Sequence, residues 1–569
     1  MGYTLGIWDG HDAGAALLQD GKILYAANEE RFTKRKLEIN FPNHAISAAI
    51  SYAKIKHSDV DNIAYSTTEF TKTLERIFPS MKENYYKFRR RKILKPMFEN
   101  ARHKIKYTLT GIGPLPLCEA ASSHIINRKL KRMGFRGYRL YAIDHHLSHA
   151  ACAAFTSGQG RKLVITLDGL GDGLSGSVSI LDNGKLERVM RIGAQDSLGI
   201  FYEQITNIVG MRELEDEGKV MAMADYSYPF SSEENRFSDL FSLSGTRLRA
   251  RHSAARQYDI LSAIGWQMPR EQFAYMAQQL VEMLVEKLIS NLIDRYNIQD
   301  IAVSGGLFSN IKANMKVRSL GNVKSMYVFP HMGDGGIALG AALYCHYLTD
   351  KISVQKFSAY LGDEYSEEDT VDYIKKHKEF SYNIEGKTES ARHASELISK
   401  ENYILWFNGR MEYGPRALGN RSIVGSSSSE QVKELLNMKV KRREWFQPFA
   451  PSVLESEVER LFEYDNKGYD KFMTSAYAMK KEHLMRERSV VHVDGTARPQ
   501  MVGDENLEYK ELLAGVKKQT GFGIVLNTSF NIHGSPIVMS PSDALLMMKQ
   551  SGTKHMFING VFVTNRKIR

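Results

Sequence analysis

Cysteine is scarce: Cys118, Cys152 and Cys345 are the only three in 569 residues, and they stand far apart. That spacing excludes a disulfide framework and a thiolate metal site, and all three read as small buried residues. Also missing is any apolar run near the roughly 20 residues that a bilayer crossing needs, so no membrane partner is expected. Nor is there a charged leader with a cleavage site, because Met1-Gly-Tyr-Thr-Leu-Gly6 enters a strand pattern directly. Gly6 stands where a myristoylation signal needs Ser or Thr, and the expected location is the cytoplasm.

What is present reads as globular protein. Hydrophobic residues at 43% and charged residues at 25% lie near globular averages and exclude a disordered or fibrous chain. The length exceeds what one core supports, so two domains are expected. The polar segment from Thr349 to Asp363 divides them into residues 1–355, with an insertion over about 68–110, and residues 356–569. The net charge of +11 suits nucleic acid or phosphate-bearing substrates equally. Much of it sits between Lys82 and Lys106, where Tyr85, Tyr86 and Phe88 interleave with Arg and Lys. That pattern can bind single strands, but its periodicity fits a solvated amphipathic helix better, and no nucleic-acid partner is expected.

One phrase occurs twice in the first half. Tyr3 to Trp8 reads as a strand, Asp9-Gly-His-Asp12 as a turn, Ala15 to Leu18 as a strand, Asp20-Gly21 as a hairpin turn and Ile23 to Ala27 as a third strand. Lys162 to Leu167, Asp168 to Gly173, Gly176 to Leu181, Asp182-Asn-Gly184 and Leu186 to Ile192 repeat that order. A single Asp-Gly pair is only a common turn. Two copies in one order outline a duplicated ribonuclease-H-like fold of the actin/Hsp70 type, which binds a nucleotide in its cleft. Gly305-Gly306, after the strand from Ile301, and Gly333-Asp-Gly-Gly336 each open toward a helix, a junction whose backbone N–H groups can hold phosphate or ribose.

His145 and His149 lie four apart at the start of a helix and so share a face, where two imidazoles reach one cation. Alone, they could equally be ordinary helix histidines. Asp168 and Asp334, each in a glycine-rich turn after a strand, add hard oxygen ligands, and two His with two Asp suit iron, manganese or zinc more than magnesium. In the second half, helices and strands alternate, and Arg410, Arg416, Arg421, Lys439, Lys441, Arg442, Arg443 and Arg498 fall in or beside turns. Such forks match phosphate oxygens. Asn527-Thr-Ser-Phe-Asn531 reads as a turn after a strand, with donors for the same anion.

His145-x-x-x-His149 with Asp168 and Asp334 resembles the iron site of the universal tRNA threonylcarbamoyl transferase family. His11-Asp-Ala-Gly-Ala-Ala-Leu-Leu18, Glu29-Glu-Arg-Phe32, Glu217-Gly-Lys-Val-Met221 and Gly414-Pro-Arg-Ala-Leu-Gly419 resemble the NodU/CmcH O-carbamoyltransferases over nearly the whole chain. That resemblance implies an α/β protein: a duplicated ribonuclease-H-like N-terminal domain and a YrdC-like α/β C-terminal domain. The second domain would make carbamoyl-adenylate from carbamoyl phosphate and ATP; the first would pass the carbamoyl group to a hydroxyl of a small-molecule, natural-product acceptor. It implies His11 as general base with Asp9 and Lys36 near the acceptor, and Leu198 (through its backbone), Gly306 and Asn310 holding the adenylate. Arg416, Lys441, Arg498, Asn527 and Ser529 would hold carbamoyl phosphate and ATP. The implied metal is iron(II), with manganese or zinc as alternatives and magnesium accompanying ATP; a homodimer is compatible. The family pattern has Arg where this chain has Gln447, and Gly-Glu-Pro where it has Gly534-Ser535-Pro536, with Arg442 or Arg443 as replacements for the missing charge. A tRNA threonylcarbamoyl-adenosine enzyme is the alternative, and the fused C-terminal half argues against it.

Overall fold

A computed structural model describes residues 2–90, 111–350 and 354–568. The end of the basic stretch, and with it the second half of the 68–110 insertion, residues 91–110, lies outside the described residues. Contacts gather the chain into two compact units: Met1–Ala26 with Ile39–Phe357, and Ala27–Glu38 with Ser358–Arg569. No helix among the described residues is long and apolar enough to cross a membrane.

In the first unit, β1 (Tyr3–Trp8), β2 (Gly14–Gln19), β3 (Lys22–Asn28), β4 (Val60–Ser66) and β5 (Arg139–Ile143) form one sheet in the order β3-β2-β1-β4-β5. A second sheet holds β6 (Lys162–Gly171), β7 (Leu174–Asp182) and β8 (Lys185–Gly193); after a separate hairpin, β9 (Phe241–Ser244) with β10 (Arg247–Ala250), come β11 (Asp300–Ser304) and β12 (Ser325–Val328), in the order β12-β11-β6-β7-β8. Read from its other edge, the second sheet repeats the first. In each, the opening strand runs antiparallel to the next and parallel to the fourth strand of its set. This is the duplicated ribonuclease-H-like α/β arrangement.

Two largely buried helices pack on these sheets. Helix His145–Thr156 and helix Ile337–Thr349 pack together, and the latter also covers β1 and β4. The helices approach closely at Gly340, where a Cβ would stand 2.0 Å from Ser148 O and 2.9 Å from Cys152 Sγ. A Cβ on Gly6 would stand 1.9 Å from Ala338 O, and only glycine admits the helix there.

The repeat differs from the expected pattern at one point. β6 continues through Gly171 rather than ending at Leu167, with a register shift against β7 between Leu167 and Gly171. That irregularity re-aims Asp168 from within a strand, as bulges do.

The second unit is an eight-stranded mixed sheet in the order Phe380–Ile384, Val561–Asn565, His555–Ile558, Tyr403–Phe407, Arg421–Gly425, Ile524–Ser529, Ala450–Leu454, Gln500–Val502. Along Tyr403–Phe407, Ile404 and Trp406 join one core with helices Lys387–Ser399 and Leu507–Thr520, while Leu405 and Phe407 join another. Alternate residues feed opposite faces, so the strand reads as an unbroken apolar run. Asn527 and Ser529 lie inside strand Ile524–Ser529 rather than in a turn after it, paired with Val424 and Ser422. Asn527 is paired on both sides, with Val424 and Ala450, whereas the Ser529 carbonyl accepts from Asn531 N at 2.9 Å.

Candidate functional site

In the first unit the site collects at the ends of parallel strands, where such sheets place ligands. Asp144 caps the first helix turn by accepting from Leu147 N at 2.8 Å, which sets His145 and His149 one turn apart with rings 4.8 Å between centroids. His145 Nε2 is 3.3 Å from Asp168 Oδ2 and 3.6 Å from Asp334 Oδ1; His149 Nε2 is 4.0 Å and 3.6 Å from the same atoms. One ligand atom from each of the four lies within 4.8 Å of all the others.

The outward atoms are fixed. His145 Nδ1 and Thr67 Oγ1 are 3.0 Å apart, His149 Nδ1 and Ser304 Oγ 3.3 Å, and Asp168 Oδ1 accepts from Gly306 N at 2.6 Å. The remaining lone pairs therefore face the centre. A Cβ on Gly171 would fall 2.2 Å from the His145 ring, so glycine is needed for this ring position.

Do these residues fit a metal ion? His149 Nε2 is buried without a hydrogen-bond partner, and two imidazole nitrogens with two carboxylates form a borderline, closed donor set. They fit a cation of the iron, manganese or zinc kind. Electrostatics agree: burial opposes ionisation of Asp168 and Asp334, yet neighbouring histidines hold both below the usual carboxylate range. Burial likewise opposes charge on His145, but Asp334 and Asp168 push it up to about 10, so the cluster concentrates negative potential.

His11 Nε2 stands 3.2 Å from Asp334 Oδ2, with its ring edge-on to Tyr86 at 6.0 Å. Burial lowers its proton affinity and Arg89 adds to this, against Asp334. Asp9 is deeply buried and gripped by its own chain: Arg76 donates Nε to Oδ2 at 3.0 Å and Nη2 to Oδ1 at 2.9 Å, Lys72 Nζ is 3.4 Å away, and Lys82 Nζ donates to its carbonyl.

The second unit gathers charge of the other sign. Lys441, buried, donates to Ser529 O, to Ser529 Oγ at 3.1 Å, to Asn531 O at 3.1 Å and to Asn531 Oδ1 at 2.8 Å. Burial, Arg443 and Lys36 hold its amine well below the usual lysine value. Arg498 is likewise well below the ordinary guanidinium range through burial and the charges of Arg416 and Arg443; burial alone brings Arg416 down to about 10. Among the described residues, Arg416 and Arg498 make neither a hydrogen bond nor an ion pair, and the buried Asn527 Oδ1 is also unpartnered.

Comparison with known proteins decides the family. Residues 4–343 match the Carbamoyltransferase N-terminus and residues 395–565 the Carbamoyltransferase C-terminus. The chain belongs to the carbamoyltransferase family. Among relatives of this carbamoyltransferase, uncharacterized protein MJ1051 of Methanocaldococcus jannaschii is 30% identical over 562 residues, 95% of each chain. Uncharacterized protein MJ1058 of the same organism is 37% identical over 472 residues, 78% of this chain and 76% of its own. Nodulation protein NolNO of Sinorhizobium fredii is 29% identical over 568 residues, 98% of this chain and 79% of its own.

Within the carbamoyltransferase, then, the structure brings His145, His149, Asp168, Asp334 and His11 together. Gly306 joins them through Asp168, and Leu198 opens a helix beside it, where a Cβ on Gly199 would meet Asp168 O at 2.6 Å. Asn310 caps helix Ile311–Ser319 and exchanges hydrogen bonds with Gln278 at 2.9 and 3.0 Å. Lys36 groups instead with the second unit, beside Lys441. The reason is local: Arg31 donates to Gly414 O at 3.0 Å and Lys34 to Asp543 at 2.5 Å, which ties segment Ala27–Glu38 there. Arg421 is fully buried, donating to Asn408 O and Gly409 O, so it holds backbone. His146 bonds Thr166 and Leu174 O. Thr67, Lys72 and Arg76 carry no motif, and only the three-dimensional arrangement brings them to notice.

Proposed function

We propose that this carbamoyltransferase is an ATP-dependent O-carbamoyltransferase acting on a hydroxyl of a small-molecule acceptor. Arg416 and Arg498 carry the reading: two half-buried guanidiniums, each without a hydrogen bond or ion pair among the described residues, are donors for an anionic substrate. Carbamoyl phosphate and ATP supply such charge. In the second unit water cleaves carbamoyl phosphate to carbamate and phosphate, and a carbamate oxygen then displaces pyrophosphate from the α-phosphorus of ATP to leave carbamoyl-adenylate. Arg416, Arg498 and Lys36 neutralise the reacting anions, while Lys441 holds Ser529 and Asn531 in place.

In the first unit the acceptor hydroxyl attacks the carbamoyl carbon and AMP leaves. His11, kept neutral by burial, takes the hydroxyl proton on Nε2, with Asp334 placed to steady the resulting imidazolium. His145, His149, Asp168 and Asp334 would hold a metal ion, iron(II) by resemblance, which supplies Lewis-acid polarisation of the transferred group. The first unit's Leu198 backbone, Gly306 and Asn310 are the adenylate's proposed neighbours.

The test omits the acceptor. The metal-loaded chain mixed with ATP and carbamoyl phosphate should release pyrophosphate and show carbamoyl-adenylate by mass spectrometry. Arg498→Ala should lose both signals and His11→Ala should keep both. A folded, metal-replete protein that forms no adenylate rules the proposal out.

A further inference from the structure

Thr67 has a left-handed backbone, φ +70°, that a β-branched residue adopts only under constraint. It is also buried, and everything around it enforces the conformation. Its N–H donates to Ile143 O at 3.1 Å, while its carbonyl accepts from Arg76 Nη1 at 2.6 Å. The same guanidinium donates to Ser66 O at 2.9 Å and grips Asp9 through its other nitrogens. What this conformation achieves is visible at the side chain: Oγ1 is 3.0 Å from His145 Nδ1.

The next two residues are held just as firmly. Asp172 Oδ1 accepts from Thr68 N at 2.9 Å and Glu69 N at 3.1 Å, and its Oδ2 from His145 N at 2.8 Å. Glu69 returns the bond, accepting from Asp172 N at 2.9 Å. Asp172 thus clamps the segment after β4 to the first residue of helix His145–Thr156. Strain that surrounding contacts over-determine, next to a ligating side chain, is the pattern of a conformation kept for function.

We propose that Thr67 is a positioning residue for His145, its strained left-handed backbone aiming Oγ1 at Nδ1 so that Nε2 is presented to the metal. This inference rests on the reading of His145, His149, Asp168 and Asp334 as a metal site. With Nε2 turned to the centre, Nδ1–H donates to Thr67 Oγ1, which fixes both tautomer and ring plane. Arg76 then links two ends of the site, Asp9 on one side and the Thr67 carbonyl on the other.

Glycine separates this role from a merely structural one, because it relieves the strain as it removes the hydroxyl. Cobalt(II) binding to the full metal-free chain, followed by its visible absorption with a competing chelator, is read alongside the melting temperature of the metal-free protein. Thr67→Gly should bind cobalt about 10- to 100-fold more weakly while melting at or above the wild-type temperature. Thr67→Ala should also bind weakly, and Thr67→Ser should restore affinity to within a few-fold. Equal cobalt affinity in wild type and Thr67→Gly overturns the proposal while leaving the metal reading intact. A wild-type chain that binds no cobalt overturns both. A Thr67→Gly protein that melts well below wild type with unaltered affinity shows a structural residue and sinks the positioning role.

Discussion

The two sites of this chain handle buried charge in opposite ways. In the first unit the carboxylates of the centre have cations or imidazoles in reach, as Asp9 has Arg76 and Lys72, Asp168 has His145, and Asp334 has His11, His145 and His149. In the second unit Arg416 and Arg498 are brought together without any carboxylate bonded to them. Burying a charge without a partner is costly unless something arrives to neutralise it. The first arrangement stabilises itself and presents lone pairs to a cation; the second stays destabilised until an anion binds. The missing sign of charge in each unit matches the ligand class proposed for it.

Removing Arg76 gives the largest expected effect. Arg76→Leu leaves Asp9 buried with a broken ion pair, and urea unfolding should show a loss of about 3–5 kcal/mol; a loss under 1 kcal/mol would break the contrast. Next comes chemistry. Arg498→Ala should lower pyrophosphate release by about 10²–10³-fold, the usual scale for losing one positioned donor, whereas His149→Ala should leave it unchanged. If both variants lose it alike, the division between units fails.

Smaller in size but sharper as a contrast is the effect of Arg498 on stability. Because burial and the charges of Arg416 and Arg443 outweigh the attraction of Asp470 at that guanidinium, which makes no hydrogen bond or ion pair among the described residues, Arg498→Leu in the absence of ATP should leave stability unchanged or raise it by up to about 1 kcal/mol, the reverse of Arg76→Leu. The wild-type chain alone should gain melting temperature from ATP. A further effect concerns pH. Burial raises Glu217 to about 8, from an unfolded value of 4.5. Between those two values the unfolded chain releases a proton that the folded chain keeps, so stability falls as pH rises through that window and levels off above it. Glu217→Gln should remove this slope, so its melting temperature should exceed wild type by more at pH 8 than at pH 5. An equal difference at both pH values would show that Glu217 is ionised in the fold.

Much of this was legible in the residues. His145 and His149 could be paired from their spacing because a helix puts i and i+4 on one face, and the two Asp-Gly phrases showed the duplicated sheets because hairpin turns have local signatures. Which unit Lys36 joins could not be read for a different reason: a family motif says which residues matter, whereas the packing of segment Ala27–Glu38 by Arg31 and Lys34 decides what they lie beside. Asn527 and Ser529 read as a turn because Asn and Ser favour turns; pairing with Arg421–Gly425 overrode that preference. Thr67 was invisible, since nothing in a threonine's neighbours announces a left-handed backbone.

By itself the sequence determined the α/β class, the carbamoyltransferase family and the residue types at each site, because periodicity, turn chemistry and motif spacing are local properties. Only the tertiary structure decided which charges meet. That Arg76 neutralises Asp9, that Thr67 faces His145 across 78 positions of chain, and that Arg416 and Arg498 make no hydrogen bond or ion pair among the described residues all depend on distances between segments remote in sequence. Coulomb and hydrogen-bond energies depend on those distances, which residue order alone does not specify.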